Sequence, residues 1–365
     1  MLSNRINKIE ESGIRKIFAL AAGNRGRYIN LSIGQPDFQV PKKIKQAAKK
    51  AIEKNNNSYT QTQGNMKLRE KIVGKLNSEN NIKAKSEEII ITAGVSGAIF
   101  LLFSSVLNPG DEVIVPDPYF VMYRQLLNFL DVKMMPLNTY PDFHLRGKRL
   151  EKLITRKTKT IIINSPNNPT GAVYGKDELG EAAKIARKHD LLVISDEIYE
   201  KYDYENKFFS IGSIYNNTVT LNGFSKSHAI TGWRLGYAHG PKEIIRAMNK
   251  LQQYTFVCAP SFTQGALLNE FNADIKKEVK RYKDNRDFLY NSLKDKYKLN
   301  IPEGAFYAFI KTPDNQKDFI KKAIDNKLLI VPGNVFSKRD DYFRVSFAVD
   351  KETLKKGVEI LSRMA

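Results

Sequence analysis

The chain has little of what makes disulfides or metal sites. It carries one cysteine, Cys258, and four histidines in 365 residues. A lone thiol closes no internal disulfide, so a reducing cytoplasm is the expected compartment. His144, His189, His228 and His239 are scattered without metal-ligand spacing, and no metal is expected. Long apolar runs are missing as well. No window approaches the ~18 uninterrupted apolar residues of a membrane span. The opening "MLSNRINKIEESGIRKIF" lacks the apolar centre of a signal peptide. Neither the P-loop nor the G-x-S-x-G elbow occurs. "AGVSGA" has glycines at 94 and 97 only, so the G-x-G-x-x-G fingerprint is absent and a nicotinamide-binding Rossmann reading has no support.

What is present describes a folded enzyme-sized chain. Hydrophobic residues make up 42%, enough for a sizeable core. The length suggests roughly two domains, or one large α/β domain with an appendage. The net charge of +20 raises nucleic acid as a partner. The bases are interleaved with acids, however, as in "KKIKQAAKKAIEK" and "DIKKEVKRYKDNR". They read as solvated helix faces, in a field that also favours small anions.

Six short β-branched runs bounded by Gly, Pro or Asp read as buried strands: Glu88–Gly94, Asp111–Asp117, Lys159–Pro166, Leu191–Glu197, Thr218–Phe224 and Arg234–Gly240. Helix-like stretches such as "KDELGEAAKIARKHD" lie between them. The alternation predicts an α/β fold with a mostly parallel sheet between helices. Such sheets bind ligands at the carboxyl ends of their strands. Gly94 with Ser96, Asn168, Asp196 with Tyr199, and Lys226 follow those runs and are expected to share one crevice. The last hundred or so residues read as a smaller α/β unit joined by the N-terminal segment. A lysine, a strand-end acid, an asparagine, a tyrosine and an arginine suit pyridoxal phosphate. That cofactor condenses with a lysine, and its ring nitrogen takes a carboxylate partner.

These residues resemble a known family. "GFSKSHAITGWRLG" (Gly223 to Gly236) is similar to the cofactor-lysine motif of class I aminotransferases. "SPNNPTG" resembles their Asn-Pro-Thr-Gly motif, and "SDEIYEKY" their Asp-x-x-Tyr motif. "LSIGQPDF", "SYTQTQGNMKLRE", "NPGDEVIVPDPYFVMY", "PEGAFY", "VPGNVF" and "FRVSFA" resemble further blocks in the family order, across nearly the whole chain. "SGIRKIFALA" is most like the archaeal and bacterial aspartate or aromatic branch. The resemblance implies fold type I, with a seven-stranded sheet. It implies a large cofactor domain at 42–280 and a small domain from 1–41 and 281–365. It also implies a homodimer with shared active sites.

By the same resemblance Lys226 carries the cofactor aldehyde and later moves the substrate proton; otherwise it is one more surface lysine. Asp196 pairs with the ring nitrogen, where the plain reading is a strand cap. Tyr199 and Asn168 donate to the ring oxygen; Asn168 equally suits a turn before Pro169. Arg234 binds the phosphate, with Gly94, Val95 and Ser96 at a helix N-terminus. Gly223 stands where the family often has a hydroxyl or alanine, so Ser225 is a substitute candidate. Phe120 covers the ring, or is ordinary core. Tyr59 reaches the partner subunit's phosphate. Arg344 grips the substrate carboxylate and Gly34 lets the backbone approach it. Trp233 is read as packing.

The expected activity is transfer of an L-amino acid's amine to 2-oxoglutarate, with aspartate as first donor and aromatic amino acids second. The alternatives are another reaction on this fold, such as a β-lyase or decarboxylase, and a DNA-binding regulator with an aminotransferase-like domain. The regulators also carry a winged helix, for which the residues before "LSIG" leave no room. No nucleic-acid or membrane partner is therefore expected.

Overall fold

The computed structural model describes residues 2–14, 17, 19, 28–313 and 315–365. Part of the "SGIRKIFALA" stretch lies outside the described residues. In chain order the strands are β1 (Ile29–Asn30), β2 (Ile89–Thr92), β3 (Glu112–Asp117), β4 (Lys133–Asn138), β5 (Thr158–Asn164) and β6 (Leu192–Asp196). Then come β7 (Thr218–Gly223), β8 (Gly236–His239), β9 (Tyr307–Lys311), β10 (Leu328–Leu329), β11 (Val331–Pro332) and β12 (Tyr342–Ser346).

The large sheet has seven strands in the order β2-β8-β7-β6-β5-β3-β4. All six strands read from the sequence are in it. The seventh, β4, is an edge strand whose residues are mostly exposed or half-buried, so it carries no continuous apolar run. Six strands are parallel and β8 runs antiparallel to both neighbours. The reversal departs from the simplest sequence reading, and it has a use. It brings the start of β8, next to Arg234, to the edge where the parallel strands end.

Period-two side-chain alternation covers both faces. Val113, Val115, Ile162 and Ile194 point into one cluster with the helices Gly94–Val106, Val121–Phe129 and Lys242–Gln253. Ile114, Ile161, Ile163 and Val193 point the other way, against helix Lys176–Lys188. Ile89, Ile90 and Ile91 are each 0% exposed, and full burial of such a side chain contributes ~1.5–3 kcal/mol.

A second sheet, β11-β12-β9, is antiparallel. The N-terminal segment forms a separate two-stranded parallel sheet, β1 with β10, and reaches the second sheet through Leu31, whose carbonyl accepts from Ser346 N at 2.7 Å. Helices Lys276–Leu293 and Lys351–Met364 bury Leu289, Leu293, Leu354 and Leu361 in the same cluster as β9.

Candidate active site

The carboxyl edge of the large sheet opens into a crevice of about 320 Å³. Gly34, Val95, Ser96, Phe120, Asn168, Asp196, Tyr199, Ser225, Lys226, Arg234 and Arg344 all line it. Two expected residues do not. Gly94 lies directly behind the wall, and Tyr59 sits on the surface, 81% exposed.

Asp196 ends β6 and is buried. Its Oδ2 accepts from the Tyr123 hydroxyl at 2.6 Å, and its Oδ1 takes a long contact of 3.4 Å from Ile198 N. Burial pushes the carboxyl up to about 6; the Tyr123 hydrogen bond and the Lys226 charge oppose the rise.

Lys226 lies three residues beyond the end of β7. Its Nζ donates to Gly34 O at 2.6 Å and sits 5.7 Å from the centre of the Tyr199 ring. Tyr202 Oη holds the Lys226 carbonyl at 2.8 Å. Burial in the crevice, and then the charges of Arg344 and Arg234, bring the amine down to about 8, against the pull of Asp196. About a tenth of the amine is then free base at pH 7, far more than for an ordinary lysine, and the fraction grows through pH 8, as a nucleophile or proton carrier requires.

Gly94 opens helix Gly94–Val106 with φ of +71°. A Cβ there would lie 2.6 Å from Arg234 Nη2. Arg234 itself has left-handed backbone, φ +54°, and its guanidinium Nη1 donates to Thr231 O at 2.9 Å. The turn and the helix N-terminus meet because three glycines permit it. A Cβ on Gly236 would meet Val95 N at 2.7 Å, and one on Gly223 would meet Gly236 Cα at 2.8 Å. Glycine at 223 is thus a packing requirement. Ser225 lines the crevice as the available hydroxyl.

Arg344 lies in β12, paired with Phe309 and Val331, and is 1% exposed. Its guanidinium stacks on Tyr307 at 4.4 Å and Phe336 at 4.8 Å. Nη1 donates to Asn168 Oδ1 at 2.9 Å and Nη2 to Ser32 O at 2.7 Å. Nε is buried with no partner. Among the described residues no carboxylate pairs with it. Asn168 is fixed from behind by Asn164, whose Oδ1 accepts its backbone N–H at 3.0 Å. Tyr199 Oη meets Tyr307 Oη at 2.9 Å, and burial raises both phenols.

Sequence reasoning missed Tyr123, Asn164 and Tyr307. A signal existed for Tyr123, which is one helical turn beyond Phe120 and so shares its face. Tyr307 sits inside the quoted block "PEGAFY" and Asn164 in the strand run Lys159–Pro166, just before "SPNNPTG", but neither carried a separate argument. Trp233 packs against Phe262 with ring centres 6.2 Å apart, as packing requires.

The residues fit pyridoxal phosphate. The glycine-lined helix N-terminus beside Arg234 is an anion cradle that a Cβ would fill. A buried carboxylate and a lysine lowered to about 8 stand deeper in the same crevice. The orphaned Nε of Arg344 marks a place for one more acceptor.

Comparison with known proteins agrees. The chain is 39% identical to a probable aspartate aminotransferase of Methanocaldococcus jannaschii, with both chains covered in full. It is 36% identical to aromatic-amino-acid aminotransferase 2 of Thermococcus litoralis, covering 100% of this chain and 98% of that one. The solved structure of Thermus thermophilus aspartate aminotransferase with maleate superposes with a TM-score of 0.94 at 35% identity, both chains covered in full. The family described as aminotransferase class I and II matches residues 27–361, and the chain belongs to it: this protein is an aminotransferase of fold type I.

Proposed function

We propose that the protein is a pyridoxal-phosphate aminotransferase that takes the amine of an L-amino acid and passes it to 2-oxoglutarate. Aspartate is the first donor proposed and aromatic amino acids the second. The observation that carries the reading is one of charge. The described crevice lining holds Lys226, Arg234 and Arg344 against a single carboxylate, Asp196. Such a site asks for anions, and an amino acid bound to a phosphorylated cofactor supplies them.

When bound, pyridoxal phosphate supplies an aldehyde that condenses with amines and a ring that accepts the electrons left at the substrate Cα. The chain supplies everything else. Arg234 and the N–H groups of Val95 and Ser96 hold the phosphate, and Gly94 leaves it room. Asp196 keeps the ring nitrogen protonated. Asn168 Nδ2 and Tyr199 Oη serve the ring oxygen, and Phe120 covers one ring face. Arg344 fixes the substrate carboxylate, with Gly34 letting the backbone come close, so that the Cα–H bond faces Lys226. Lys226 Nζ, as the free base, takes that proton and returns it. Catalysis falls to Lys226, with Asp196 and Tyr199 tuning the ring.

The same reading divides the chain into a large unit, 42–280, and a small one, 1–41 with 281–365; the β1–β10 pairing supports the sharing of both ends. It makes the protein a homodimer in which Tyr59 serves the partner subunit's phosphate. Exposed Tyr59, Tyr254, Phe256 and Val257 are the apolar surface that such an interface would cover. The free Cys258 suits a cytoplasmic setting.

A donor panel with 2-oxoglutarate tests the proposal. Glutamate should form together with the matching 2-oxo acid, fastest from aspartate. Release of ammonia and pyruvate without any acceptor would reject transamination as the reaction of this site.

A further inference from the structure

Tyr123 is 1% exposed and sits in the first turn of helix Val121–Phe129. Its ring meets that of Phe120 edge-on, with centres 5.7 Å apart. Packing alone would be satisfied by phenylalanine. The hydroxyl, however, donates to Asp196 Oδ2 at 2.6 Å, inside the core. Among the described residues no other side chain donates to that carboxylate. The remaining contact, Ile198 N to Oδ1, is 3.4 Å long and contributes little orientation. A carboxylate turns freely about its Cβ–Cγ bond unless an oxygen is pinned. Burial, and then the neighbouring Asp196 charge, hold the phenol well above its usual range, so it stays a donor.

We propose that Tyr123 is a positioning residue: its phenol pins one Asp196 oxygen and so orients the carboxylate for the ring nitrogen of the cofactor. The inference rests on the pyridoxal-phosphate reading of the crevice. It also gives the short helix two jobs at one end, since Phe120 walls the ring while Tyr123, one turn on, sets the group beneath its nitrogen.

The test compares two cofactors on the apo-protein by equilibrium dialysis: pyridoxal phosphate and the analogue with C–H in place of the ring nitrogen. Wild type should prefer pyridoxal phosphate. Asp196→Ala should lose that preference. In Tyr123→Phe the preference should fall about tenfold, through weaker binding of pyridoxal phosphate, while the analogue binds as before. Tyr123→His, which restores an N–H donor, should regain part of it and keeps the test open if the phenylalanine variant fails to fold. An unchanged preference in the variants overturns the proposal. So does an equal loss for both cofactors, which is the mark of packing alone. Wild type that binds neither cofactor overturns the cofactor reading together with the proposal, and is thereby distinguished from a failure of Tyr123 alone.

Discussion

Arg344 donates 2.9 Å to Asn168 Oδ1, joining the β12 strand to the loop after β5 across 176 residues of sequence. The contact uses one nitrogen of a guanidinium that has no carboxylate partner among the described residues. Burial lowers the Arg344 pKa while the nearby phenols of Tyr307 and Tyr199 support it. Holding an unpaired cation in the core costs stability, and it makes sense where a ligand anion completes the site.

Arg344→Met should therefore separate stability from recognition. The ligand-free variant should melt no lower than wild type, since an uncompensated charge gives way to a side chain of similar length. Its kcat/KM for amino donors should fall ~100-fold, equivalent to ~2.7 kcal/mol of lost transition-state binding, with KM taking most of the change. A variant that keeps its kcat/KM would show that the substrate carboxylate binds elsewhere.

Lys226→Met should abolish transamination, by at least the ~10²-fold typical of a lost proton-transfer group, and should prevent borohydride from fixing the cofactor to the chain. The same change should stabilise the cofactor-free protein. The folded-state amine titrates at about 8, below the ordinary 10.5, so burial penalises its charged form. Below pH 8 both folded and unfolded lysines are protonated and the full penalty is felt. Between 8 and 10.5 the unfolded chain binds more protons, and wild type gains stability as the pH rises. The advantage of the methionine variant, about 1–2 kcal/mol at pH 7 because the amine opens onto the crevice, should shrink over that window. Denaturant titrations of both proteins at pH 7 and pH 10 measure it.

Glu197, next to Asp196 but fully inside the core, offers a second pH signature. Ser195 and Ser210 donate to its Oε1 at 2.9 and 2.6 Å, and Asn80 donates to Oε2 at 3.2 Å. Burial, with the Glu200 charge adding to it, outweighs those donors and the Lys75 charge, and the carboxyl rises to about 7. The folded state then binds more protons than the unfolded one between 4.5 and 7, so this group lowers stability as the pH climbs through that range. Glu197→Gln should flatten that part of the stability curve. Glu197→Ala, which strands the donors, should cost ~2–3 kcal/mol at pH 8. Thermal melts across pH 5 to 8 would sink the idea if the glutamine variant kept the wild-type slope.

The sequence and the fold agree most closely where local chemistry and topology coincide. Val113 to Val115 and Ile161 to Ile163 had to be strand because both faces are apolar, and the polar residues after such runs had to meet at one edge. Lys226, Asp196, Asn168 and Arg344 were legible through motif blocks, although Arg344 comes from a different sheet. What escaped was decided by tertiary contact. Nothing local says that β8 runs against its neighbours, or that β4, with its half-exposed pattern, is sheet at all. Tyr123 looks like any aromatic of an amphipathic helix until its hydroxyl is seen against Asp196. Tyr307 likewise reads as core until it meets Tyr199 and closes over Gly34, where a Cβ would lie 2.6 Å from its hydroxyl.

The glycine stack beneath the anion cradle gives a sharp stability contrast. At Gly223 an added Cβ would press on Gly236 Cα at 2.8 Å and Leu235 O at 3.0 Å, backbone atoms that cannot swing aside. Gly223→Ala should cost ~1–3 kcal/mol as an overpacked core site. At Gly94 the obstacle is the Arg234 guanidinium, a flexible group, but φ of +71° adds strain. Gly94→Ala should cost ~1 kcal/mol in the fold and should also weaken cofactor binding, by displacing Arg234 from the cradle. Gly180 is the control. It lies inside helix Lys176–Lys188 with nothing within 4 Å of its missing Cβ, so Gly180→Ala should add ~0.5–1 kcal/mol. Denaturant midpoints would order the proteins as Gly180→Ala above wild type and Gly223→Ala lowest. Phosphate-dependent cofactor affinity should fall most in Gly94→Ala, and equal affinity in that variant and wild type would remove the cradle from this edge of the sheet.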